Sequence, residues 1–251
     1  MNAVVIGMKG QGKSTLAIYL GRRVQKVIGA HTILIFDPKR TFNSIPHTSD
    51  LSQFEAWMTE GGHDAIAYQP PRVSGDEKNS DVVWEEFSRF IDALGIEYHL
   101  GERQSPSRAN LRPVILIVDE AWYLQEGKTV HPKLEEIVRL HDNRNFWLIQ
   151  AAHRPKDFST RIRWQIDELY MFQQWQAEQI VVIEEWCGPE VASLVESLPK
   201  HHVMRFDVAN RKWEAWREPS GWYTNLNEGE NDGRNNEAAT GEQSATDGDG
   251  T

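Results

Sequence analysis

Residues 1–20 read MNAVVIGMKGQGKSTLAIYL, and within them Gly7-Met8-Lys9-Gly10-Gln11-Gly12-Lys13-Ser14-Thr15 decides the fold. The spacing from Gly7 to Ser14 satisfies G-x-x-x-x-G-K-[ST], the pattern of a phosphate-binding loop. Both flanks fit it. Upstream, Ala3-Val4-Val5-Ile6 is a β-branched run of the kind that forms a strand buried on both faces. Downstream, Leu16, Leu20, Val24 and Val27 recur at helical spacing and predict a helix with that face in the core. Strand, glycine loop and helix N-terminus in that order aim several backbone N–H groups at one point, where a phosphate can sit. Glycine at 7, 10 and 12 permits unusual dihedrals and a close approach of backbone to anion. In this reading residues 7–15 bind nucleotide, Lys13 reaches the β- and γ-phosphates, and the Ser14 hydroxyl ligates Mg²⁺.

The chain has 251 residues, enough for one large α/β domain with a substantial core. Hydrophobic residues make up 39% and charged residues 25%, the balance of a soluble globular protein. Val114-Ile-Leu-Ile-Val118 is among the longest apolar runs and is far too short to span a bilayer. With a first strand expected from the second or third residue, no signal peptide is expected. Cys187 is the single cysteine, which excludes an internal disulfide and fits a reducing compartment, so an intracellular, cytoplasmic protein is expected. The net charge is −10, but residues 225–251 carry seven acids against Arg234 and so account for six of those charges. That segment holds one leucine and no aromatic residue, and is expected to be a disordered acidic tail behind a domain of residues 1–224. The body is only mildly acidic, so any contact with nucleic acid must use local basic positions.

A second strand is expected over His31–Phe36, ending in Asp37-Pro38-Lys39-Arg40. A helical segment with Leu51, Phe54, Trp57 and Met58 and a short strand near Ala65–Tyr68 follow, then a turn over residues 69–75 and a helix from Asp81 to Leu94. The next strong signal is Arg112-Pro-Val-Ile-Leu-Ile-Val-Asp119-Glu120, an aliphatic strand ending in paired acids, which is the Walker B pattern. Two carboxylates at the tip of a buried strand are costly unless a metal or water network meets them. Asp119 would hold the Mg²⁺ shell and Glu120 would orient and deprotonate the attacking water. Neither an N-K-x-D nor an L-S-G-G-Q stretch occurs, which argues against a GTPase and an ABC-type ATPase. Later elements are a helix over Leu134–Leu140, a buried strand Phe146–Ala152 ending in His153-Arg154-Pro155, a strand over Ile162–Phe172, a helix from Trp186 to Leu198 interrupted early by Gly188-Pro189, and a hairpin over His202–Trp216. Strands alternating with helices give a mostly parallel sheet with helices on both faces, with residues 7–14, 119–120 and 153–154 converging at the strand ends. Of the ten tryptophans, Trp57, Trp84, Trp147 and Trp164 lie on expected elements and read as core.

Three blocks together, GMKGQGKST, ILIVDEAWYL and LIQAAHRPKDF, resemble the FtsK–HerA superfamily of DNA-pumping ATPases, and IFDPKR is similar to the family's I-x-D-P-K. The resemblance implies a RecA/ASCE-like P-loop NTPase that binds ATP and Mg²⁺ and threads double-stranded DNA as a homo-oligomeric, hexameric ring. It implies a polar γ-phosphate sensor after the strand ending at Ala152, where His153 stands in place of the usual glutamine. An arginine from a neighbouring subunit completes such sites, and Arg154, Arg161 and Arg163 are the candidates, each also readable as a solvated basic edge. Arg103, Arg108 and Arg112 form a basic loop that could meet a DNA backbone or be ordinary surface. A core of this size looks most like the genome-packaging ATPases of membrane-containing viruses and phages, with capsid or membrane-vertex proteins as possible partners. Zot-like phage assembly ATPases, a small-molecule kinase and a nucleotide-gated scaffold with little turnover are the alternatives.

Overall fold

The structure, a computed structural model, describes residues 1–29, 32–71, 79–95, 113–126, 129–140, 146–217 and 239–242. β1 (Asn2–Ile6) runs into the glycine loop and α1 (Lys13–Ile28) leaves it. β2 (Ile33–Phe36), β3 (His47–Thr48), α2 (Leu51–Glu60), β4 (Ala65–Tyr68) and α3 (Asn79–Ala93) follow. Next come β5 (Val114–Val118), a two-stranded ribbon of β6 (Gln125–Glu126) and β7 (Thr129–Val130), α4 (Pro132–Leu140) and β8 (Phe146–Ala152). The chain continues through α5 (Thr160–Arg163), β9 (Glu168–Phe172), α6 (Ala177–Cys187) and α7 (Pro189–Ser197). It closes with β10 (His202–Asp207), β11 (Lys212–Arg217) and β12 (Ala239–Glu242).

Ten strands form one sheet in the order β12-β11-β10-β9-β1-β8-β5-β2-β4-β3. Every pairing from β9 through β3 is parallel, and β10, β11 and β12 extend one edge antiparallel. This order puts β8 between β1 and β5, with Gln150 in register with Val4 on one side and Val118 on the other. The loops after these three strands therefore emerge side by side at the carboxyl edge, where open α/β sheets bind their ligands.

Helices cover both faces, as the alternation predicts, but unequally. Phe54 of α2, Phe87 and Phe90 of α3, Leu134 of α4, Ile183 of α6 and Val195 of α7 pack on one face. On the other face α1 is the sole helix among the described residues, and it packs through Leu16, Ala17, Ile18 and Leu20. β1, β2 and β4 are buried along their whole length and β5, β8 and β9 nearly so, which is why these strands read as unbroken apolar runs instead of alternating ones.

Three expectations need correction. Val27 does not face the core but is 82% exposed. α1 has 16 residues and β1 only five, so at about 1.5 Å and about 3.3 Å per residue the helix overshoots the strand beneath it. Ile162–Phe172 is not one strand: Ser159 accepts a hydrogen bond from the Arg161 amide and caps the short α5, and β9 starts only at Glu168. Ile162 and Ile166 are buried and mimic strand alternation, whereas Trp164, expected in the core, is 90% exposed between them. The interruption expected at Gly188-Pro189 is present, with Gly188 at φ 96° and Pro189 starting α7, but the helix before it, α6, begins at Ala177, well ahead of Trp186. Of the tail, Ala239–Glu242 pair with β11, and the rest of residues 225–251 lies outside the described residues, as does the loop of Arg103, Arg108 and Arg112.

Candidate active site

Gly7 follows β1 and leaves no room for a side chain: a Cβ there would lie 2.9 Å from both Phe172 and the Gln11 side chain. Gly10 (φ 79°) and Gly12 (φ 105°) adopt the left-handed conformation that an L side chain resists. The loop is closed from within. The Gln11 side chain accepts from the Met8 amide and donates to the Gln173 carbonyl (3.1 Å), tying the loop to the end of β9. Gly12 caps α1 without a side-chain acceptor, so the first-turn amides of the helix are aimed at whatever anion the loop receives.

Lys13 is buried, and its ammonium donates to the Met8 carbonyl at 3.2 Å. Its Nζ also lies 3.2 Å from His153 Nδ1, and His153 Nε2 lies 2.7 Å from Glu120 Oε1. An ammonium can only donate, so Nδ1 accepts and the remaining imidazole proton sits on Nε2, facing the carboxylate. One neutral ring thus connects the lysine of the glycine loop to the second acid after β5. The other oxygen of Glu120 accepts from the Trp122 indole Nε1 at 2.7 Å. Trp122 and Tyr123 stack with centroids 3.9 Å apart, and the Lys39 ammonium lies 5.9 Å and 5.7 Å from their ring centres.

Glu120 takes the left-handed conformation (φ 50°, ψ 46°), a costly backbone for a side chain that is not glycine. That turn lets two successive carboxylates leave the tip of one strand in different directions. Asp119 receives the Thr41 hydroxyl at 2.6 Å. Burial is the main influence on its acidity and pushes it up to about 6, with the negative charges of Glu120 and Asp37 adding to the rise. Burial also works against charge on Glu120, but the hydrogen bonds from His153 and Trp122 prevail and hold it below its ordinary value. Burial pulls Lys13 down, and Glu120 and Asp119 pull it partly back. Three buried acids, Asp37, Asp119 and Glu120, therefore meet one buried lysine. A donor set so short of positive charge fits a cation, and Mg²⁺ is commonly held by one or two protein oxygens with substrate phosphates and water completing its shell. Among the described residues no cluster of three or more His, Cys, Asp or Glu could hold a metal unaided.

A buried polar chain lies beneath the site. Asn2 accepts from Gln150, Gln150 accepts from Gln125, and Gln125 accepts from the Ser159 amide. It joins β1, β8 and the two segments that flank the acids and His153. Sequence reading passed over it, although three amides in or beside apolar strands are the signal that could have revealed it. Arg154 is held by Asp157 of its own chain, through Nε (3.2 Å) and Nη2 (2.9 Å). Arg163 stacks 4.7 Å from the centre of the Trp186 ring and donates to the Phe158 carbonyl, and Arg161 pairs with Glu135 on the surface. His153 thus joins Lys13 and Glu120, whereas the arginines stand in separate contacts of their own.

A phosphate loop after β1 and a strand order with β8 inserted between β1 and β5 define the class: a RecA-like P-loop NTPase fold. Among solved structures the chain is similar to the genome packaging NTPase B204 from Sulfolobus turreted icosahedral virus 2 in complex with ATPγS. The identity is 20%, the TM-score 0.63, and the match covers 85% of this chain and 94% of that one. B204 from Sulfolobus turreted icosahedral virus, described as the DNA-packaging ATPase, matches at 19% identity and TM-score 0.58 over 87% and 97% of the two chains. VirB4 of Thermoanaerobacter pseudethanolicus matches at 11% identity and TM-score 0.59 over 82% and 87%. These likenesses establish a shared fold. No protein-family profile and no curated protein sequence matches the chain.

Proposed function

We propose that the chain is a Mg²⁺-dependent ATPase of the FtsK–HerA kind that moves double-stranded DNA, as a viral genome-packaging motor does. One observation carries the reading: the imidazole of His153 bridges Lys13 and Glu120. A γ-phosphate arriving at Lys13 offers it a charged acceptor in place of a neutral nitrogen. His153 Nδ1 is then released, and the grip of the ring on Glu120 changes with it. In this scheme residues 7–15 bind the phosphates, and Glu120 orients the attacking water and takes its proton. Ser14 and Asp119 would hold Mg²⁺, which supplies positive charge to the β- and γ-phosphate oxygens. The two names carried by the B204 structures, genome packaging and DNA packaging, support DNA as the cargo.

The motor reading further proposes a ring of identical subunits, hexameric by family resemblance, working in the cytoplasm beside capsid or membrane-vertex proteins. Its trans-acting arginine is drawn from Arg154, Arg161 and Arg163. Arg161 is the most exposed of the three, whereas Arg163 would have to leave Trp186 to reach a neighbour. Among the described residues no helix is long and apolar enough to cross a membrane. Steady-state ATP turnover with and without linear duplex DNA tests the proposal. The motor is expected to turn over faster with duplex DNA. Turnover indifferent to DNA, or a phosphorylated small-molecule product, would overturn it.

A further inference from the structure

The segment Asp37-Pro38-Lys39-Arg40-Thr41 leaves β2 beside the acids, and the scheme above gives it no task. β2 and β5 are parallel neighbours with Phe36 opposite Val118, so Asp37 and Asp119 end adjacent strands together. The Asp119 amide donates to the Phe36 carbonyl at 3.0 Å, and the Asp37 amide to the Tyr68 carbonyl at 2.9 Å. Asp37 is fully buried, and its carboxylate is spent on the loop that follows it. Oδ1 accepts from the Thr41 amide at 2.9 Å, and Oδ2 accepts from the Phe42 amide at 3.1 Å and from Gln69 Nε2 at 3.0 Å. Arg40 takes a left-handed turn at φ 58°, unusual for a side chain of its size, and donates to the Pro70 carbonyl at 3.3 Å. This turn sets the Thr41 hydroxyl between two carboxylates, 2.6 Å from Asp119 Oδ2 and 3.2 Å from Asp37 Oδ1. A hydroxyl has a single proton, and the shorter contact takes it.

We propose that Thr41 is a positioning residue that orients Asp119 toward its divalent cation, with the Asp37 loop as the brace that holds Thr41 in place. The inference rests on the reading of Asp119 as a Mg²⁺ ligand. Asp119 carries its charge in a buried setting, and the Thr41 hydroxyl is the donor that fixes one of its oxygens. Outer partners of this kind orient a ligating carboxylate, and losing one commonly weakens metal binding about 10- to 100-fold. Thr41 itself is exposed, so replacing it with isosteric valine removes the hydroxyl without opening the core.

The test is Mn²⁺ binding to the full chain with ATPγS, read by electron paramagnetic resonance for wild type, Thr41→Val and Thr41→Ser. ATPγS binding in EDTA is measured alongside. Thr41→Val is expected to weaken Mn²⁺ binding roughly tenfold, with Thr41→Ser close to wild type and metal-free nucleotide binding unchanged in both. Wild-type Mn²⁺ binding by Thr41→Val would overturn the inference. So would a Thr41→Ser protein as weak as Thr41→Val, or loss of metal-free nucleotide binding in Thr41→Val. If wild type itself holds no Mn²⁺ with ATPγS, the Mg²⁺ reading of the site falls, and this inference with it.

Discussion

Lys13, His153 and Glu120 answer to one another through a single ring, and Asp119 stands beside them as a buried carboxyl whose charge the fold resists. Its folded pKa, about 6, lies above the ordinary 3.8 because of burial. A carboxyl shifted upward contributes its stability below the unfolded value and loses it as pH rises through the folded one. At pH 8 the ionised group therefore costs the ligand-free protein up to about 3 kcal/mol, at about 1.4 kcal/mol per pKa unit. Asp119→Asn is expected to raise the denaturant midpoint at pH 8, with the gain shrinking as pH falls toward 4, while Mg²⁺-dependent turnover is lost. A variant less stable than wild type at pH 8 would contradict this. At this scale the sequence speaks where spacing is rigid: the glycine loop with Lys13 and the Asp119-Glu120 pair stand at fixed distances along the chain, and the fold brings Lys13 and Glu120 to one ring. Thr41 and Trp122 were not readable as partners of those acids. Thr41 reaches Asp119 across 78 positions, and Trp122 reaches Glu120 only through a left-handed turn that composition does not announce.

His131 shows how elements are fastened on the crowded face of the sheet. Its Nδ1 accepts from the Lys133 amide at the start of α4, and its Nε2 meets Ser88 Oγ (2.9 Å) and the Trp84 carbonyl (3.1 Å) on α3. A carbonyl can only accept, so the proton sits on Nε2 and the ring is neutral. Burial pushes its pKa down to about 4 against the backbone bond to Trp84. A histidine shifted downward contributes stability above about 6.5 and loses it as pH falls toward 4, because the unfolded chain then binds the proton that the folded ring refuses. Denaturant midpoints are expected to drop across that window in wild type, and His131→Phe is expected to flatten the slope even if it lowers stability at pH 7. An unchanged slope would assign the acid sensitivity elsewhere. Elements with long unbroken patterns, such as β1, β5, β8 and α3, were legible from sequence because burial on both faces or on one stripe dictates their composition. α5 was not, since one cap at Ser159 overrides the alternation around it, whereas the break between α6 and α7 was legible in Gly188-Pro189.

Among the described residues the two faces of the sheet are covered unequally. α1 covers one face among the described residues, the other helices crowd the opposite face, and three antiparallel strands extend the edge beyond β9. Element alternation foretold helices on both faces, but not their division, which depends on where each crossover returns. What did carry through is the meeting of β1, β8 and β5, because an insertion of β8 between the other two is what puts His153 between Lys13 and Glu120. The proposal that this junction hydrolyses ATP, with Glu120 as the base, is tested most directly by ATP turnover of Glu120→Gln, with ATP binding measured on the same sample. The expected result is turnover reduced by about 100-fold or more with ATP still bound, the scale of a lost general base. Turnover at the wild-type rate in that variant would contradict it.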